Sequence, residues 1–565
     1  MNQFFIFLLS AALLILLLPT FYDLHSSKVQ SYSFLSNYEL ALFNSELYPL
    51  DSNLITVCSS GCNFTSIYSA INYANITPGA DMIYIKEGVY TENNIKLYSN
   101  ITIVGDGIDK TIIRNKLYNS TIGQRVDIFT SNVPLENVRI ENLTVDTLGV
   151  PDNMGSSAIT FRGNGTNKNI VIRNVKSINA FGAGIAIPNF ENLVIENCII
   201  NNTWTGITVG GGINASIKNN IIVNTRGDGI FPQVRRSSNL SVIKALIENN
   251  YLENIGDTGI DITSDCDFKP HEEIYVVGNK LKNASVRISC ALNITLIKNF
   301  IKYGSIGVDA GAGRPINIAI ENNSIESSKR GIVLGGALNV TVRDNIIHFF
   351  ASSDSSQTGI SSGVWQSSIL QNNIILNPQN YCIDFNNWQV GGSGNTLIEN
   401  NTLINCGDVG IYDNNVSVGK VVIKGNKILD FKNLSRHSIL TEKENNVWII
   451  TNNWIYNKSI FAPSSIINDN DYSYPEQFYF PISLKSNKFI FSSILQDSKN
   501  KILRIYLEEI GFGLNEENTI EIFSPKKPSK IKINNLVVTY DDSLSLLHSW
   551  KYDSSNKTIT LKFFS

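Results

Sequence analysis

Asp228, Asp261 and Asp309 each stand beside a short glycine-led apolar segment (Gly229-Ile230, Gly259-Ile260 and Gly307-Val308), and Arg287 falls between the last two. Paired carboxyl groups suit acid–base catalysis, because one can be held protonated while its neighbour stays ionised. A guanidinium between them would keep one acid ionised, hold a substrate carboxylate, or itself serve as the base of an elimination. Asp257, Asp265, Asp267 and His271 flank the same segment on turns. Trp204, Phe231 and Tyr251 are the nearest aromatic residues in register, with Trp365, Trp388 and Tyr412 further along. Such rings stack on the apolar faces of pyranoses. The set reads as Asp261 and Asp309 acting as acid and base, Asp228 as auxiliary acid and Arg287 as their electrostatic partner. Trp204, Phe231, Tyr251, Asp257, Asp265 and His271 are the candidate binding residues. No cofactor is expected: Asp257, Asp261, Asp265 and Asp267 could gather oxygen ligands for calcium, but their spacing matches no standard calcium loop.

Residues this far apart in sequence meet only if a repeat brings them into register. A unit of the form apolar-x-apolar-x-Asn/Gly-Asn-x-apolar recurs, as in Ile217-Lys218-Asn219-Asn220-Ile221, Ile247-Glu248-Asn249-Asn250 and Ile320-Glu321-Asn322-Asn323. Successive units are roughly 21 to 30 residues apart, a solenoid period too short for a crossover helix. Alternation with period two marks strands, and the Asn that follows tolerates positive φ. Together these features predict a right-handed parallel β-helix with coils about 4.8 Å apart, inward Ile and Val columns, and stacked Asn forming hydrogen-bonded ladders. With the glycine-led segments in register, Ala186, Thr208, Phe231, Asp261, Asp309, Val333 and Ser361 face outward from one sheet. Arg287 joins them with a two-residue ambiguity. Two coils would part Asp261 from Asp309 by about 9.5 Å, the upper end of the spacing that admits a water in inverting glycoside hydrolysis.

Composition excludes several classes. The chain has 565 residues, 17% of them charged, with a formal net charge of -3. That is too long for one compact core, and a nucleic-acid partner has no electrostatic support. From Phe4 to Leu18 only Ser10 interrupts an apolar run closed by Pro19. Residues 1–24 are therefore expected to be a signal peptide or an N-terminal membrane anchor, leaving the remainder secreted or held at the outer cell surface. The membrane is then a partner through that segment alone. Cys58 with Cys62, Cys266 with Cys290, and Cys382 with Cys406 are candidate bridges in an exported chain, and the odd seventh cysteine leaves a thiol over. Sequons at Asn142, Asn214, Asn293 and Asn339, among others, predict glycosylation.

The stretch Thr65 to Ala74, then Ile83-Tyr84-Ile85-Lys86-Glu87-Gly88-Val89-Tyr90 and Ile101-Thr102-Ile103-Val104-Gly105-Asp106-Gly107, resembles the opening of pectin-lyase-like right-handed β-helix proteins. In that superfamily an amphipathic capping helix precedes a strand ending in Gly-x-Tyr and an apolar strand running into Gly-Asp/Asn-Gly. The resemblance implies a β-helix over residues 53–465 with its capping helix near 65–75. It also implies a function among the polysaccharide lyases, polygalacturonases, epimerases, esterases and non-catalytic surface proteins that share the fold. Asn224-Thr225-Arg226-Gly227 is similar to the Asn-Thr-Asp-Gly of polygalacturonases, with Arg226 in place of the acid. Past about residue 470 the periodicity stops, and 475–565 reads as a small antiparallel β-sandwich. The expectation is thus an all-β, exported chain acting on extracellular polysaccharide as a hydrolase or lyase. The alternative is a non-catalytic cell-surface or adhesive β-helix.

Overall fold

The computed structural model describes residues 6–10 and 54–564, except for 80, 117–125, 149–154, 233–240, 265–268, 312, 328, 351–355, 364–366, 386–394, 414–419, 442–447, 474, 476–479, 487–488, 498–501, 511–516, 534–535 and 547. Asp265, Cys266, Asp267, Trp365, Trp388 and most of the apolar N-terminal run lie outside the described residues. Near the start of the described chain, the Ser66 hydroxyl accepts a hydrogen bond from the Ser69 N–H and caps a helix over Ile67–Ile76. The helix buries Ile67, Ala70 and Ile71 against the first strands, the capping role that the family resemblance implies. No helix among the described residues is long and apolar enough to cross a membrane.

From Leu54 to Asn468 the backbone winds into a parallel β-solenoid of about 13 turns. A typical coil contributes three strands, for example Val242–Glu248, Tyr251–Ile255 and Ile260–Thr263. Each pairs in parallel with its counterpart one coil later, namely His271–Val277, Lys280–Lys282 and Val286–Ser289. Inward residues fall in straight columns such as Ile217, Ile247, Val276, Leu296, Ile320 and Val342. They belong to one apolar cluster that runs the length of the solenoid. A β-branched side chain stacks well in such a column, which explains why Ile and Val dominate it.

Asparagines carry the turns. Asn219, Asn249, Asn322, Asn400 and others occupy the left-handed region with φ between 53° and 56°, a conformation Asn tolerates better than other side chains. The next residue in each unit points inward. Asn220, Asn250, Asn279, Asn299, Asn323, Asn345, Asn373, Asn401, Asn426 and Asn453 form a buried ladder, each Nδ2 donating to the Oδ1 of the next, and the last to Asn470, at 2.9–3.0 Å. The sequon asparagines Asn142, Asn214, Asn293 and Asn339 belong to outer ladders, through hydrogen bonds with Asn174, Asn192 and Asn317.

The C-terminal residues build antiparallel sheets. Phe480–Lys485, Glu517–Phe523, Thr558–Phe564 and Ser549–Asp553 lie side by side in one, and Phe489–Asp497 pairs with Ile502–Glu509 in another. Their buried residues share one apolar cluster with Ile346, Leu376, Ile404 and Leu429, which point outward from the solenoid. At this junction the Lys302 ammonium, itself fully buried, donates to Glu326 at 2.8 and 2.9 Å and to the Phe489 carbonyl at 3.0 Å. Desolvation pushes the Lys302 pKa down, and the adjacent Glu326 carboxylate opposes that shift. The Leu484 N–H donates to Nε2 of the neighbouring His348.

Candidate active site

One sheet of the solenoid holds the glycine-led strands, in the order Thr205–Val209, Ile230–Pro232, Ile260–Thr263, Val286–Ser289, Ile306–Asp309 and Arg330–Gly335. Its hydrogen-bonded register puts Asp261 directly opposite Arg287, and Arg287 opposite Gly307. Asp309 pairs with Ser289, two residues further along the strand than Arg287. The sequence register for Asp309 is thereby corrected: Ile306, not Val308, is the counterpart of Ile260. Gly307-Val308 imitates the Gly-Ile segment, but here the glycine is the outward residue between two inward ones. Asp309 still reaches the site, because its carboxylate accepts a hydrogen bond from Arg287 Nε at 3.0 Å and another from the Gly311 N–H at 2.9 Å.

Asp228 stands just before its strand and accepts a hydrogen bond from the Thr258 N–H at 3.3 Å. Burial, the charges of Asp261 and Asp257, and incomplete compensation from Thr258 and Arg287 push its carboxyl up to about 6. Burial also raises Asp261, opposed by a hydrogen bond from the Thr263 hydroxyl and by the Arg287 guanidinium. Asp257 is exposed on the adjoining turn, and its charge is felt by Asp228, Asp261 and Arg287 alike. Four carboxyl groups and one guanidinium therefore share a single electrostatic neighbourhood on the outer face of this sheet. Among the described residues neither Asp228 nor Asp261 has an ion-pair partner.

Two candidate binding residues lie elsewhere. His271 is completely buried. Its Nδ1 accepts from the Val242 N–H at 3.0 Å, so Nε2 carries the proton and faces the Pro232 carbonyl at 3.1 Å. Burial lowers its pKa to about 4, and the ring acts as a neutral brace between coils, not a contact for ligand. Tyr251 begins a strand of a different face, where it pairs with Ile221 and Lys280 and its hydroxyl donates to Glu253 at 2.6 Å. Phe231 does flank the acids, one coil before Asp261 on the same sheet. Trp204 is 53% exposed at the turn that enters this sheet. It borders a cavity of about 80 Å³ together with Leu148, Asn179, Phe181, Asn202 and Arg226.

Among the described residues no group of three or more His, Cys, Asp or Glu side chains is arranged to hold a metal ion. Cys58–Cys62 and Cys382–Cys406 are disulfide-bonded, Cys290 is bonded as well, and Cys198 is a buried free thiol.

The raised pKa of Asp228 has a consequence for stability. Unfolded, this carboxyl titrates near 3.8; folded, near 6. The fold therefore binds its proton more tightly, so the associated stabilisation is complete below about pH 4 and is lost as pH rises through about 6. Asp228→Asn is expected to raise the urea midpoint above that of the parent at pH 7 and to leave it unchanged near pH 4. Equal effects at both pH values would contradict the assignment.

A family model described as rhamnogalacturonase A/epimerase, pectate lyase-like, matches residues 64–261. Probable pectinesterase/pectinesterase inhibitor 12 of Arabidopsis thaliana is 37% identical over 87 residues, 15% of this chain and 15% of that protein. Probable pectinesterase/pectinesterase inhibitor 6 of the same plant is 37% identical over 67 residues, 11% of this chain and 12% of that protein. The chain thus spans less than a sixth of the length of these relatives. Among solved structures, the A-module of the Azotobacter vinelandii mannuronan C-5 epimerase AlgE4 aligns at a TM-score of 0.41 and 17% identity, covering 64% of this chain and 93% of that one. The catalytic domain of a GH87 α-1,3-glucanase aligns at 0.37 and 15% identity, covering 67% of this chain and 70% of that one.

Proposed function

We propose that this chain, a pectate lyase-like β-helix protein by its solenoid and by the match over residues 64–261, is exported and cleaves an extracellular polysaccharide with the aspartates on the outer face of this sheet. The observation that carries the reading is the placement of Asp228 and Asp261 on adjacent coils. Both are partly desolvated, both are raised in pKa, and both feel the charge of Arg287, which lies directly opposite Asp261. Carboxyl groups so coupled share protons as a pair, which is what separates an acid from a base at one pH. Asp228, pushed up to about 6, is the proton donor to the leaving sugar oxygen. Asp261, drawn back toward ionisation by Thr263 and Arg287, is the acceptor, deprotonating a water in hydrolysis or a ring carbon in elimination. Arg287, held by Asp309, orients the substrate across the strands.

The test is incubation of the chain with a panel of acidic and neutral polysaccharides, scoring new reducing ends and the absorbance of unsaturated uronates. Cleavage of at least one polymer, declining as pH rises above about 6 when Asp228 loses its proton, is the expected result. Reducing ends without unsaturation identify hydrolysis; both together identify elimination. Binding without any cleavage would return the chain to the non-catalytic β-helices.

A further inference from the structure

We infer that the junction between the solenoid and the C-terminal sheets is an acid-sensitive latch, opened when His348 takes up a proton. Among the described residues, buried hydrogen bonds cross it from Lys302 Nζ to the Phe489 carbonyl at 3.0 Å, from the Ser324 hydroxyl to the Phe491 carbonyl, and from the Leu484 N–H to His348 Nε2 at 3.3 Å. Of these, the His348 contact alone depends on a group of the kind that changes charge between about pH 5 and 8. The His348 side chain is 1% exposed, with the Phe491 ring edge-on to it at 5.5 Å and Leu376 one coil beyond. Because Nε2 accepts from Leu484, the ring's one proton is on Nδ1, where it has no hydrogen-bond partner.

A second proton must go to Nε2, where it would point at the Leu484 N–H, donor against donor. The charges around the ring do not compensate. Glu326 Oε2 lies 3.8 Å from Nδ1, beyond hydrogen-bond reach, and both Glu326 oxygens already accept from the Lys302 ammonium at 2.8 and 2.9 Å. Lys282 adds positive charge beside Lys302 and is itself paired with Glu253 at 2.9 Å. On the C-terminal side, Lys485 is exposed and Glu508 pairs with Lys280 at 2.8 Å. A charged His348 would thus be a buried cation next to another cation, with a lost hydrogen bond, a state relieved only when the strand Phe480–Lys485 moves away. The docked form fits the neutral ring, whereas the open form accepts either. Docking is therefore complete above the histidine range and weakens as pH falls through it. Opening would uncover Ile346, Leu376, Ile404 and Leu429, the outward apolar row that the C-terminal sheets now cover.

The experiment is hydrogen–deuterium exchange of the full chain at about pH 7.5 and about pH 5, corrected for the intrinsic pH dependence of amide exchange and read at the peptide that contains Leu484. A histidine that can be protonated only after opening favours the open state about thirtyfold more at the lower pH. Exchange of that peptide should rise accordingly, while the coil strand Val242–Glu248 stays protected. His348→Gln keeps an acceptor for the Leu484 N–H and cannot take a proton, so its exchange should be nearly the same at both pH values. Should this variant lose the parental far-ultraviolet dichroism, the pair Lys302→Met with Glu326→Gln answers the same question, because it removes the ion pair and should retain the response of the parent. A parent whose Leu484 peptide does not respond to pH overturns the inference. So does a rise shared equally by Val242–Glu248, an undiminished response in a folded His348→Gln variant, or a response abolished by removal of the ion pair.

Discussion

Asp261→Asn is expected to lower turnover by about a thousandfold, the range by which one positioned proton-transfer group contributes, while the chain keeps its far-ultraviolet dichroism. The amide preserves the shape and the hydrogen bond from Thr263 but cannot accept a proton. Its strand is held between Ile230–Pro232 and Val286–Ser289, with Ile260 and Ile262 completely buried on either side, so the substitution leaves the packing unchanged. Substrate affinity should change little, because Arg287 and Phe231 remain beside the site. A variant with more than a tenth of the parental turnover would remove Asp261 from the reaction. Asp309→Asn provides the contrast: Asp309 orients Arg287, and its loss should appear mainly in KM.

The second large effect concerns folding. Asn299→Ala is expected to cost about 3–5 kcal/mol, because it removes three buried hydrogen bonds, each leaving hydrogen-bonding capacity unmet at about 1–3 kcal/mol apiece. Asn299 Oδ1 accepts from the backbone N–H and the Nδ2 of Asn279, both at 3.0 Å, and Asn299 Nδ2 donates to the Val276 carbonyl at 2.8 Å. None of these groups has water to turn to at this depth. Asn254→Gly, on an exposed outer ladder where glycine retains the positive φ, should cost under about 1 kcal/mol. Urea denaturation of the two variants settles the matter: similar midpoints would mean that the inner ladder contributes no more than the outer one.

The coil repeat, the inward Ile columns and the Asn ladders were all legible in the sequence, because each follows from local periodicity or from the φ preference of one residue type, while the capping helix was legible only through the family resemblance. The pairing of Cys382 with Cys406 was legible for the same reason, since its separation of 24 residues approximates one coil. What escaped depends on register at the scale of two residues. Gly307-Val308 looked like Gly259-Ile260, and only the strand pairing shows that Ile306 occupies the inward slot. His271 was read as a turn residue, yet the strand begins with it and draws it inside. The junction with the C-terminal sheets was hidden by sequence distance, Lys302 meeting Phe489 across 187 residues. A trace of it existed: Lys302, Glu326 and His348 are stacked on successive coils, followed by Leu376 and Ile404 at the same outward position. Apolar residues at that position mean that the face is covered.

The inner ladder also has a direction. Every amide in it points its nitrogen toward the C-terminal end, so the small dipoles add head to tail and the first oxygen, that of Asn220, becomes the electronegative pole of the column. Cys198 sits against that pole, donating its backbone N–H to Asn220 Oδ1 at 2.9 Å and directing its Sγ toward carbonyl oxygens as an amide would. Burial already lifts the thiol to about 12, and a negative pole beside it disfavours the thiolate further. The unpaired seventh cysteine is therefore chemically silent, a thiol lodged where the next amide of the column would stand, and oxidants or alkylating agents will find it only after the rod has come apart.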